Sequence, residues 1–280
     1  MPGDVAPGEV MVAAAAREIH DGDVAFVGMR LPLIAFRLAK LTHAPRAYGI
    51  FENGLVRGVP SSETLFTMSD TPNVVGAHMC TRLALAMALL GRGRVDVGFI
   101  GGAEVDRFGN VNSSYIGPRE RTDVKLPGSG GACDIASLAK RLLIIMAHER
   151  HRLKPAVDYI TSPGYLRGGD DRRARGLPEG GPAALITTLG VFDFEPQTRE
   201  AVLRSYHPGA TIDQIREHTG WPLRVSPDAR ETPPPSPQEL QLIRALDPDG
   251  FWTREAAGRS ARTNSCDGQP GTTAPAPGVG

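Results

Sequence analysis

Four glycine-containing breaks follow apolar runs in this sequence, and one of them begins with an acid. The run at residues 48–51 ends at Glu52, and Asn53 and Gly54 follow as turn residues. If these runs are parallel strands, the loops at their carboxyl ends form a common crevice. A carboxylate in that crevice would share it with backbone N–H groups, which stabilise developing negative charge. The other breaks are Gly28, the pair Gly101 and Gly102, and residues 128–131.

Each of these features also has a simpler interpretation. Glu52 taken alone is equally compatible with a solvated loop acid or with a neighbour of a helix N-cap. Gly101 and Gly102 are compatible with the simple end of a strand. Residues 128–131 are typical of a flexible turn, because they have neither the ending of a P-loop nor the spacing of a dinucleotide fingerprint. Alone, the residues indicate an α/β enzyme with a carboxylate and backbone amides in one crevice.

Three further features have both a functional and a structural interpretation. His148 and His151 are spaced like a metal pair, but without a third ligand nearby the sequence favours a solvated basic cluster. Cys133 is compatible with a nucleophile, and the sequence favours a small buried core thiol. The arginine-rich residues 170–176 favour a solvated loop, with a phosphate contact as the alternative. We therefore expect no metal site.

Composition bounds the classes of function. The 280 residues contain 31 Lys and Arg against 31 Asp and Glu, so the formal net charge is zero. A basic field for nucleic acid or an anionic membrane is therefore not expected. The three cysteines form no metal spacing and no disulfide framework, which favours reduced thiols and a cytoplasmic location. No apolar run reaches the roughly 18 residues of a transmembrane helix, and the amino terminus lacks the basic region of a signal peptide.

Alternating helical and strand patterns predict the fold. The chain opens as helix, strand, helix, strand, which is typical of an α/β fold with an open, mostly parallel sheet covered by helices. Residues 81–90 are predicted to form a buried helix and residues 142–146 a core strand. Prolines after about residue 228 predict an extended connector. One domain is expected over residues 1–252, with a disordered tail at 253–280, which has almost no apolar content. The other predicted elements are helices at residues 9–20, 32–43, 211–220 and 236–246, strands at 24–27, 46–51 and 95–100, and paired strands around Gly190.

Three segments resemble one known family, and they occur in the same order. IFENGLV at residues 50–56 resembles the Glu-(Ser/Asn)-Gly loop of the β, or B, subunit of family I CoA-transferases. FIGGAEVDRFGNVNSSYIG at residues 99–117 resembles that family's Gly-Gly-Ala-Gln-(Ile/Val)-Asp segment, and GSGGACDIAS at residues 128–137 resembles its Gly-x-Gly-Gly-Ala segment. The likeness extends from about Val10 to Trp252, in the branch represented by the B subunit of glutaconate CoA-transferase.

The resemblance implies a mechanism in which coenzyme A is carried as a substrate. Glu52 corresponds to the family's nucleophile, which attacks an acyl-CoA and becomes a glutamyl-CoA thioester before a second carboxylic or dicarboxylic acid accepts the CoA. Gly130, Gly131 and Ala132 correspond to backbone amides of the oxyanion hole. A thioester must be kept from water, which is consistent with an acid at the exit of a buried strand. The resemblance assigns the remaining CoA-binding and substrate contacts to Asn53, Gly54, Gly101 and Gly102.

The resemblance also implies a partner and a fold of the NagB/RpiA-like CoA-transferase type. Active enzymes of the family require an α subunit that contributes to the pocket. We therefore expect a cytoplasmic hetero-oligomer with little or no activity in the isolated chain. Its expected substrates are an acyl-CoA and a carboxylic acid, with no nucleic acid or membrane partner.

Glu104 departs from the family pattern, which usually has Gln at this position. Glu104 is therefore expected either to tune the choice of acyl acid or to indicate an alternative, namely a CoA-thioester hydrolase or decarboxylase on the same scaffold that uses Glu104 for acid/base work. A third hypothesis, a ligand-sensing module on a related sugar-phosphate-isomerase-like fold, is disfavoured because the sequence has no helix-turn-helix segment and no basic face. The sequence does not determine the acceptor acid.

Overall fold

Helices and strands alternate through the amino-terminal half of the chain, as the sequence predicts. The computed structural model describes residues 5–61, 63 and 65–254. The strands are β1 (Val24–Phe26), β2 (Tyr48–Ile50), β3 (Leu55–Arg57), β4 (Met79–Cys80), β5 (Val97–Ile100), β6 (Glu104–Asp106), β7 (Val111–Asn112), β8 (Tyr115–Ile116), β9 (Val124–Lys125), β10 (Arg141–Met146), β11 (Leu153–Lys154), β12 (Pro182–Thr187), β13 (Gly190–Phe194), β14 (Ala201–Tyr206) and β15 (Arg224–Glu231). The helices are α1 (Pro7–Arg17), α2 (Leu31–Leu41), α3 (Thr71–Val74), α4 (Leu83–Gly91), α5 (Ala132–Leu138), α6 (Asp171–Ala174), α7 (Ile212–Glu217) and α8 (Pro237–Leu246).

One large mixed sheet contains the strands in the order β15-β14-β13-β12-β10-β5-β1-β2-β3-β4. Its central strands, from β12 to β2, all run parallel, and antiparallel pairs flank them on both sides. The predicted α/β class with an open, mostly parallel sheet is confirmed. The carboxyl ends of parallel strands lie at one edge of a sheet. The loops that contain Gly28, Glu52 and Gly101 therefore follow three adjacent strands, β1, β2 and β5.

Two apolar layers cover the two faces of this sheet. Successive side chains of a strand point to opposite faces, so in β10 Leu143 and Ile145 pack in one layer while Leu142 and Ile144 pack in the other. The first layer includes α1, α2 and α8, and the second includes α4, α5 and α7. A strand buried on both faces has a continuous apolar sequence, which explains why the core strand at residues 142–146 is recognisable.

Helix α4 is less buried than the sequence predicts. Residues 81–90 are predicted to form a buried helix, but only Ala86 and Leu90 of α4 are buried. Leu83 is 50% exposed and Leu85 is 40% exposed. The prediction is wrong because a helix that is apolar all round needs neighbours on every side, and this chain covers only one side of α4.

Helix α8 packs against α1 and so holds the carboxyl-terminal region to the amino-terminal helix. Its first turn is a capping box in which Ser236 and Glu239 bond each other's backbone N–H groups, and this confirms the predicted helix. Nε of Arg244 donates to the buried carboxylate of Glu9 at 2.8 Å. Burial by itself would raise the pKa of Glu9, but hydrogen bonds from Arg244 and the Ala6 N–H lower it below its ordinary value.

Strand β15 extends further than the composition indicates. The connector is predicted from about residue 228, whereas β15 continues through Glu231. An edge strand tolerates Pro227 because one of its sides makes no ladder hydrogen bonds, and the pairing of β15 with β14 also shifts register.

A turn after α8 holds the last described residues. Asp247 accepts hydrogen bonds from the N–H groups of Trp252 and Thr253 at 3.0 and 2.8 Å. Thr253 is only 2% exposed, although the tail is predicted from this residue onward. Residues 255–280 lie outside the described residues, so the disorder of that segment stays a prediction. None of the described helices is long and apolar enough to cross a membrane.

Two buried histidines belong to one hydrogen-bonded cluster. His148 contacts the hydroxyl groups of Thr187 and Thr219 at 3.0 and 3.1 Å, and His207 contacts the Thr187 carbonyl oxygen at 2.8 Å. Burial lowers the pKa of both histidines to about 4. The solvated cluster predicted from the sequence is therefore wrong for His148, whereas the side chain of His151 is 72% exposed.

We expect the free energy of unfolding to fall as the pH is lowered from about 6.5 towards 4. Histidines in the unfolded chain bind protons near their ordinary pKa of about 6.5, whereas folded His148 and His207 stay neutral down to about pH 4. Each histidine then contributes a loss of about 1.4 kcal/mol per pH unit in this window. Asp106 acts in the opposite direction, because burial raises the pKa of its carboxyl group to about 6. Denaturant-induced unfolding at several pH values measures the net slope.

A His207→Gln variant isolates one of these contributions. Glutamine does not titrate, so the slope between pH 6.5 and 4 should become shallower by about 1.4 kcal/mol per pH unit. His151→Gln is the matched control, because it makes the same substitution at a side chain that is 72% exposed and lies outside the buried cluster. The same slope in wild type and His207→Gln would contradict the burial argument.

Candidate active site

The predicted catalytic acid lies in a tight turn between β2 and β3. The N–H of Gly54 donates to the carbonyl oxygen of Phe51, and the N–H of Phe51 donates to the carbonyl oxygen of Leu55, both at 2.9 Å. Gly54 has a φ of +95°, the left-handed conformation that closes this kind of short hairpin loop. The turn places the half-buried Glu52 directly after the buried Phe51.

Contacts on both sides hold this turn in place. A Cβ atom on Gly54 would lie 2.7 Å from backbone atoms of Thr81, so the segment before α4 packs directly on the turn. Nδ2 of Asn53 donates to the carbonyl oxygen of Met68 at 2.6 Å. In this structure Asn53 and Gly54 therefore position Glu52, and their contact with CoA stays a prediction.

The Glu52 carboxylate lies against the glycine-rich loop. A Cβ atom on Gly131 would lie 3.1 Å from Cδ of Glu52 and 3.2 Å from its Oε1, and 2.8 Å from Cε of Met87 on α4. A Cβ atom on Gly130 would lie 3.8 Å from the same Oε1. The absence of a side chain at Gly131 thus allows the backbone to approach the carboxylate. The fold brings together the acid and the loop that the sequence assigns to one crevice.

The backbone N–H groups of this loop differ in whether they already donate a hydrogen bond within the chain. The Ala132 N–H donates to the Ser129 carbonyl oxygen at 2.9 Å. The N–H groups of Gly130 and Gly131 have no acceptor within the described part of the chain. Of the amides predicted for the oxyanion hole, those of Gly130 and Gly131 are therefore available, while that of Ala132 is engaged.

A buried arginine supports the helix that follows this loop. Nη2 of Arg172 donates to the carbonyl oxygens of Ala136 and Ser137 at 3.0 and 2.8 Å, and Nη1 donates to that of Gly164 at 3.0 Å. A cation is favourable here because Ala136 and Ser137 belong to the last turn of α5. Burial lowers the pKa of Arg172. Since Arg172 is only 4% exposed, the solvated loop predicted for residues 170–176 is wrong at this position.

A cavity of about 560 Å³ opens at the carboxyl ends of β1, β5 and β10. Gly101, Gly102 and Gly128 line this strand-end cavity. Glu52 is not part of its lining, but Gly128 belongs to the same loop as Gly131. The glycine-rich loop therefore runs from the cavity lining at Gly128 to the Glu52 carboxylate at Gly131. The charged residues of its lining are Arg30, Glu149 and Arg152.

Glu104 is engaged in a buried ion pair within a second sheet, in which β6 lies between β11 and β7. The carboxylate is 1% exposed, accepts hydrogen bonds from Nδ2 of Asn112 at 2.7 Å and the N–H of Asp158 at 3.0 Å, and pairs with Lys154. Burial disfavours the charged form of Lys154, but hydrogen bonds to Asp158 and Glu104 outweigh it and raise the pKa of Lys154. These contacts favour a supporting role for Glu104, and the acid/base role stays a prediction.

Metal-binding geometry is not seen in the described residues, where no group of three or more His, Cys, Asp or Glu side chains could hold an ion. The cysteines there are unpaired: Cys80 is exposed, and Cys133 is half-buried in the first turn of α5. Cys133 is therefore less buried than the core thiol that the sequence favours.

Comparison with known proteins identifies the family. Residues 9–218 match the family described as Coenzyme A transferase. The chain belongs to this family. It is similar to the B subunit of 3-oxoadipate CoA-transferase from Pseudomonas knackmussii, with 39% identity over 267 residues that cover 94% of this chain and 96% of that protein.

Solved structures share the fold of this CoA-transferase chain. The crystal structure of glutaconate CoA-transferase from Acidaminococcus fermentans superposes with a TM-score of 0.83 at 31% identity, covering 89% of this chain and 98% of that chain. The crystal structure of the decarboxylase AibA/AibB superposes with a TM-score of 0.77 at 29% identity, covering 90% and 98%. The predicted CoA-transferase fold and the resemblance to a B subunit are confirmed.

Sequence reasoning missed several residues that support the site. Met87 belongs to a uniformly apolar helix, and no spacing distinguishes its contact with Gly131. Arg172 lies in a run of similar residues, and Lys154 is distant along the chain from Glu104. The one available signal was Glu104 itself. An acid next to a predicted core strand needs a basic partner if the fold buries it.

We expect Gly131→Ala to lower CoA-transfer activity at least tenfold. The new Cβ atom would lie 2.8 Å from Cε of Met87 and 3.1 Å from Cδ of Glu52, so the end of the Met87 side chain must move and the Glu52 carboxylate must shift by a few tenths of an ångström. A displacement of about 1 Å at a reacting group can cost about 100-fold in rate. Steady-state kinetics of the assembled enzyme measure this effect.

Gly28→Ala is the matched control. It also follows a strand that ends in the crevice, but its Cβ atom would make only ordinary contacts at 3.8–3.9 Å. Equal activity of the Gly131→Ala and Gly28→Ala variants would show that the close approach to Glu52 does not matter.

Proposed function

We propose that this chain is the B subunit of a CoA-transferase that moves CoA between an acyl-CoA and a carboxylic acid through a thioester on Glu52. The observation that carries the proposal is the contact of the Glu52 carboxylate with Gly130 and Gly131. It combines a nucleophile and available backbone N–H groups at the edge of the sheet where α/β enzymes bind ligands.

The reaction proceeds in two half-reactions. A carboxylate oxygen of Glu52 attacks the thioester carbonyl of acyl-CoA, the C–S bond breaks, and a mixed anhydride and CoA thiolate form. The thiolate attacks the Glu52 carbonyl carbon of the anhydride, which releases the first acid as a carboxylate and leaves a glutamyl-CoA thioester. A second carboxylate then repeats these steps in reverse, so that the CoA leaves on the new acid and Glu52 is regenerated.

Residues of this chain stabilise the intermediates of these two half-reactions. Each attack creates a tetrahedral oxyanion, which the N–H groups of Gly130 and Gly131 can receive. One such donor typically contributes about 3 kcal/mol to the transition state. The thioester on Glu52 retains the activation energy of the acyl group, so the exchange needs no ATP, provided that water is excluded.

The names of the similar proteins favour a dicarboxylic acid as acceptor. A relative that covers 94% of this chain is named for 3-oxoadipate, and the superposed crystal structure is named for glutaconate. Both are short dicarboxylic acids, so we infer an acceptor of this class rather than glutaconate in particular.

The Glu52 intermediate can be trapped directly. We expect the assembled enzyme, incubated with acetyl-CoA in the absence of an acceptor acid, to gain the mass of CoA less water on the peptide that contains Glu52. Intact-protein and peptide mass spectrometry detect this adduct. The Glu52→Gln variant should show none, because an amide does not form the anhydride.

The similarity to the decarboxylase AibA/AibB supports one specific alternative to CoA transfer. A CoA-thioester hydrolase or decarboxylase would consume its substrate and release CoA or carbon dioxide without an adduct on Glu52. That result would reject the transferase proposal and direct attention to Glu104. An exposed control, Glu63→Gln, should leave adduct formation intact in a transferase.

An exposed apolar surface supports a partner subunit. Around α4, Val75 is 65% exposed, Leu83 50% and Met79 48%. Large apolar side chains exposed together on neighbouring segments are typical of a protein interface. The surface adjoins the site, because Met87 of α4 contacts the position of Gly131. We infer that the α subunit of a CoA-transferase covers α4 and β4, and that the site is complete only in this assembly.

We expect Leu83→Glu to abolish association with the α subunit. A charge buried in an apolar interface without a partner is strongly unfavourable. Co-purification and size-exclusion chromatography of the co-expressed subunits measure association. Leu41→Glu, on α2 and 46% exposed, is the matched control and should assemble normally. Normal assembly of Leu83→Glu would place the interface elsewhere.

A further inference from the structure

We propose that Arg30, held over Trp252 in the strand-end cavity, binds the distal carboxylate of a dicarboxylic substrate. This inference rests on the proposed function, because it assigns the part of the substrate that is remote from Glu52. The supporting observations are the charge balance of the cavity, the apolar character of its walls and the way in which Arg30 is held.

Arg30 is the cation of the cavity that lacks an acidic partner. The lining contains three charged residues, Arg30, Glu149 and Arg152. Nε of Arg152 donates to Oε2 of Glu149 at 2.6 Å, so these two charges neutralise each other. Among the described residues, no carboxylate forms an ion pair with Arg30. The cavity therefore carries one uncompensated positive charge, which suits one carboxylate.

The walls of the cavity fit an alkyl chain. Apolar side chains contribute much of the lining, among them Met11, Leu31, Ile145 and Met146. A short carbon chain can lie against these residues while its far end meets a charge. A single guanidinium matches the one negative charge of a carboxylate, whereas the phosphates of CoA carry several negative charges, so the carboxylate is the better match.

Arg30 is held in a defined position. Its guanidinium carbon lies 5.0 Å from the centre of the Trp252 ring, a cation–π contact that leaves its N–H edge free to bind a carboxylate. The backbone of Trp252 is fixed in turn, because its main-chain N–H donates to a carboxylate oxygen of the buried Asp247 at 3.0 Å. Arg30 also has a φ of +68°, a conformation that a non-glycine residue rarely adopts and that is retained where the surroundings impose it.

Arg30 and Glu52 follow neighbouring strands of the sheet, so the cavity lies on the same edge as the reacting carboxylate. Arg30 follows β1, and Glu52 follows β2, the parallel neighbour of β1. Gly128 lines the cavity, while Gly131 of the same loop contacts Glu52. We therefore place the chain of an acid activated at Glu52 along this loop, with its distal end in the cavity. Arg30 is then a specificity-determining residue, because it selects acids that carry a second carboxylate.

The test compares matched acids in the enzyme assembled with its α subunit. With acetyl-CoA as donor, kcat/KM is measured for glutarate against pentanoate and for adipate against hexanoate. We expect Arg30→Met to lower kcat/KM at least tenfold for the dicarboxylic acids, mainly through KM, and less than twofold for the monocarboxylic acids. Arg173→Met, whose side chain is 77% exposed outside the cavity, is the control and should change neither.

Several outcomes would overturn the proposal. Equal losses for both kinds of acid would indicate a merely structural role for Arg30, and unchanged use of the dicarboxylic acids would exclude the contact. A tenfold rise in the KM of acetyl-CoA with unchanged acid kinetics would assign Arg30 to the phosphates of CoA.

A separate measurement distinguishes this inference from the proposed function. If wild type shows no CoA transfer and no adduct on Glu52, the proposed function fails. Calorimetric titration of the same assembly with glutarate and pentanoate then tests the subsite alone. Binding of glutarate that Arg30→Met removes would support it, and no preference of wild type for glutarate over pentanoate would overturn it.

Discussion

The close approach of a carboxylate to backbone without a side chain is the constraint on which this site depends. Glu52 and Gly131 belong to segments far apart in sequence, and they approach so closely that a Cβ atom on Gly131 would lie 3.1 Å from Cδ of Glu52. Each side is held by its own set of interactions. The hairpin turn closed by Gly54 fixes Glu52, and the carbonyl contacts of Arg172 hold the far end of α5. The glycine loop lies between these two supports, so its backbone amides stay beside the acid.

Several charged and polar side chains near the crevice have partners within the chain, and the pairing explains their roles. Glu104, Lys154 and Asn112 connect the small sheet that carries the chain away from Gly101 and Gly102. Breaking such a pair leaves a charge buried without compensation. The neutral histidines at 148 and 207 satisfy their nitrogens with threonine and backbone oxygens in the same way. Arg30 is the exception in the cavity, since it is held by an aromatic ring instead of an acid, and this is why it is assigned to a ligand.

The chain leaves apolar surface uncovered beside the site. Its central sheet is covered on both faces, yet α4 and β4 leave large apolar side chains exposed beside the site. A second subunit at this position would exclude water from Glu52, and a thioester intermediate requires that exclusion. The same fold supports a transferase and a decarboxylase among the similar structures, so the chemistry depends on the residues at the crevice and not on the fold.

The sequence by itself determined the fold class, several of the main elements and the family. Periodicity predicts the parallel core, because strands such as β10 are apolar on both faces, and the motifs around Glu52, residues 99–117 and residues 128–137 indicate the family. Burial, pairing and exposure were decided only by the tertiary structure. The sequence favours solvent for His148 and Arg172, which the fold buries, and burial for α4, which it exposes. The partners of Glu104 and the position of Arg30 over Trp252 likewise depend on segments far apart in the chain. A local sequence pattern indicates which face of a segment is apolar. Only the packing of the whole chain, together with any partner subunit, decides which of these faces is buried.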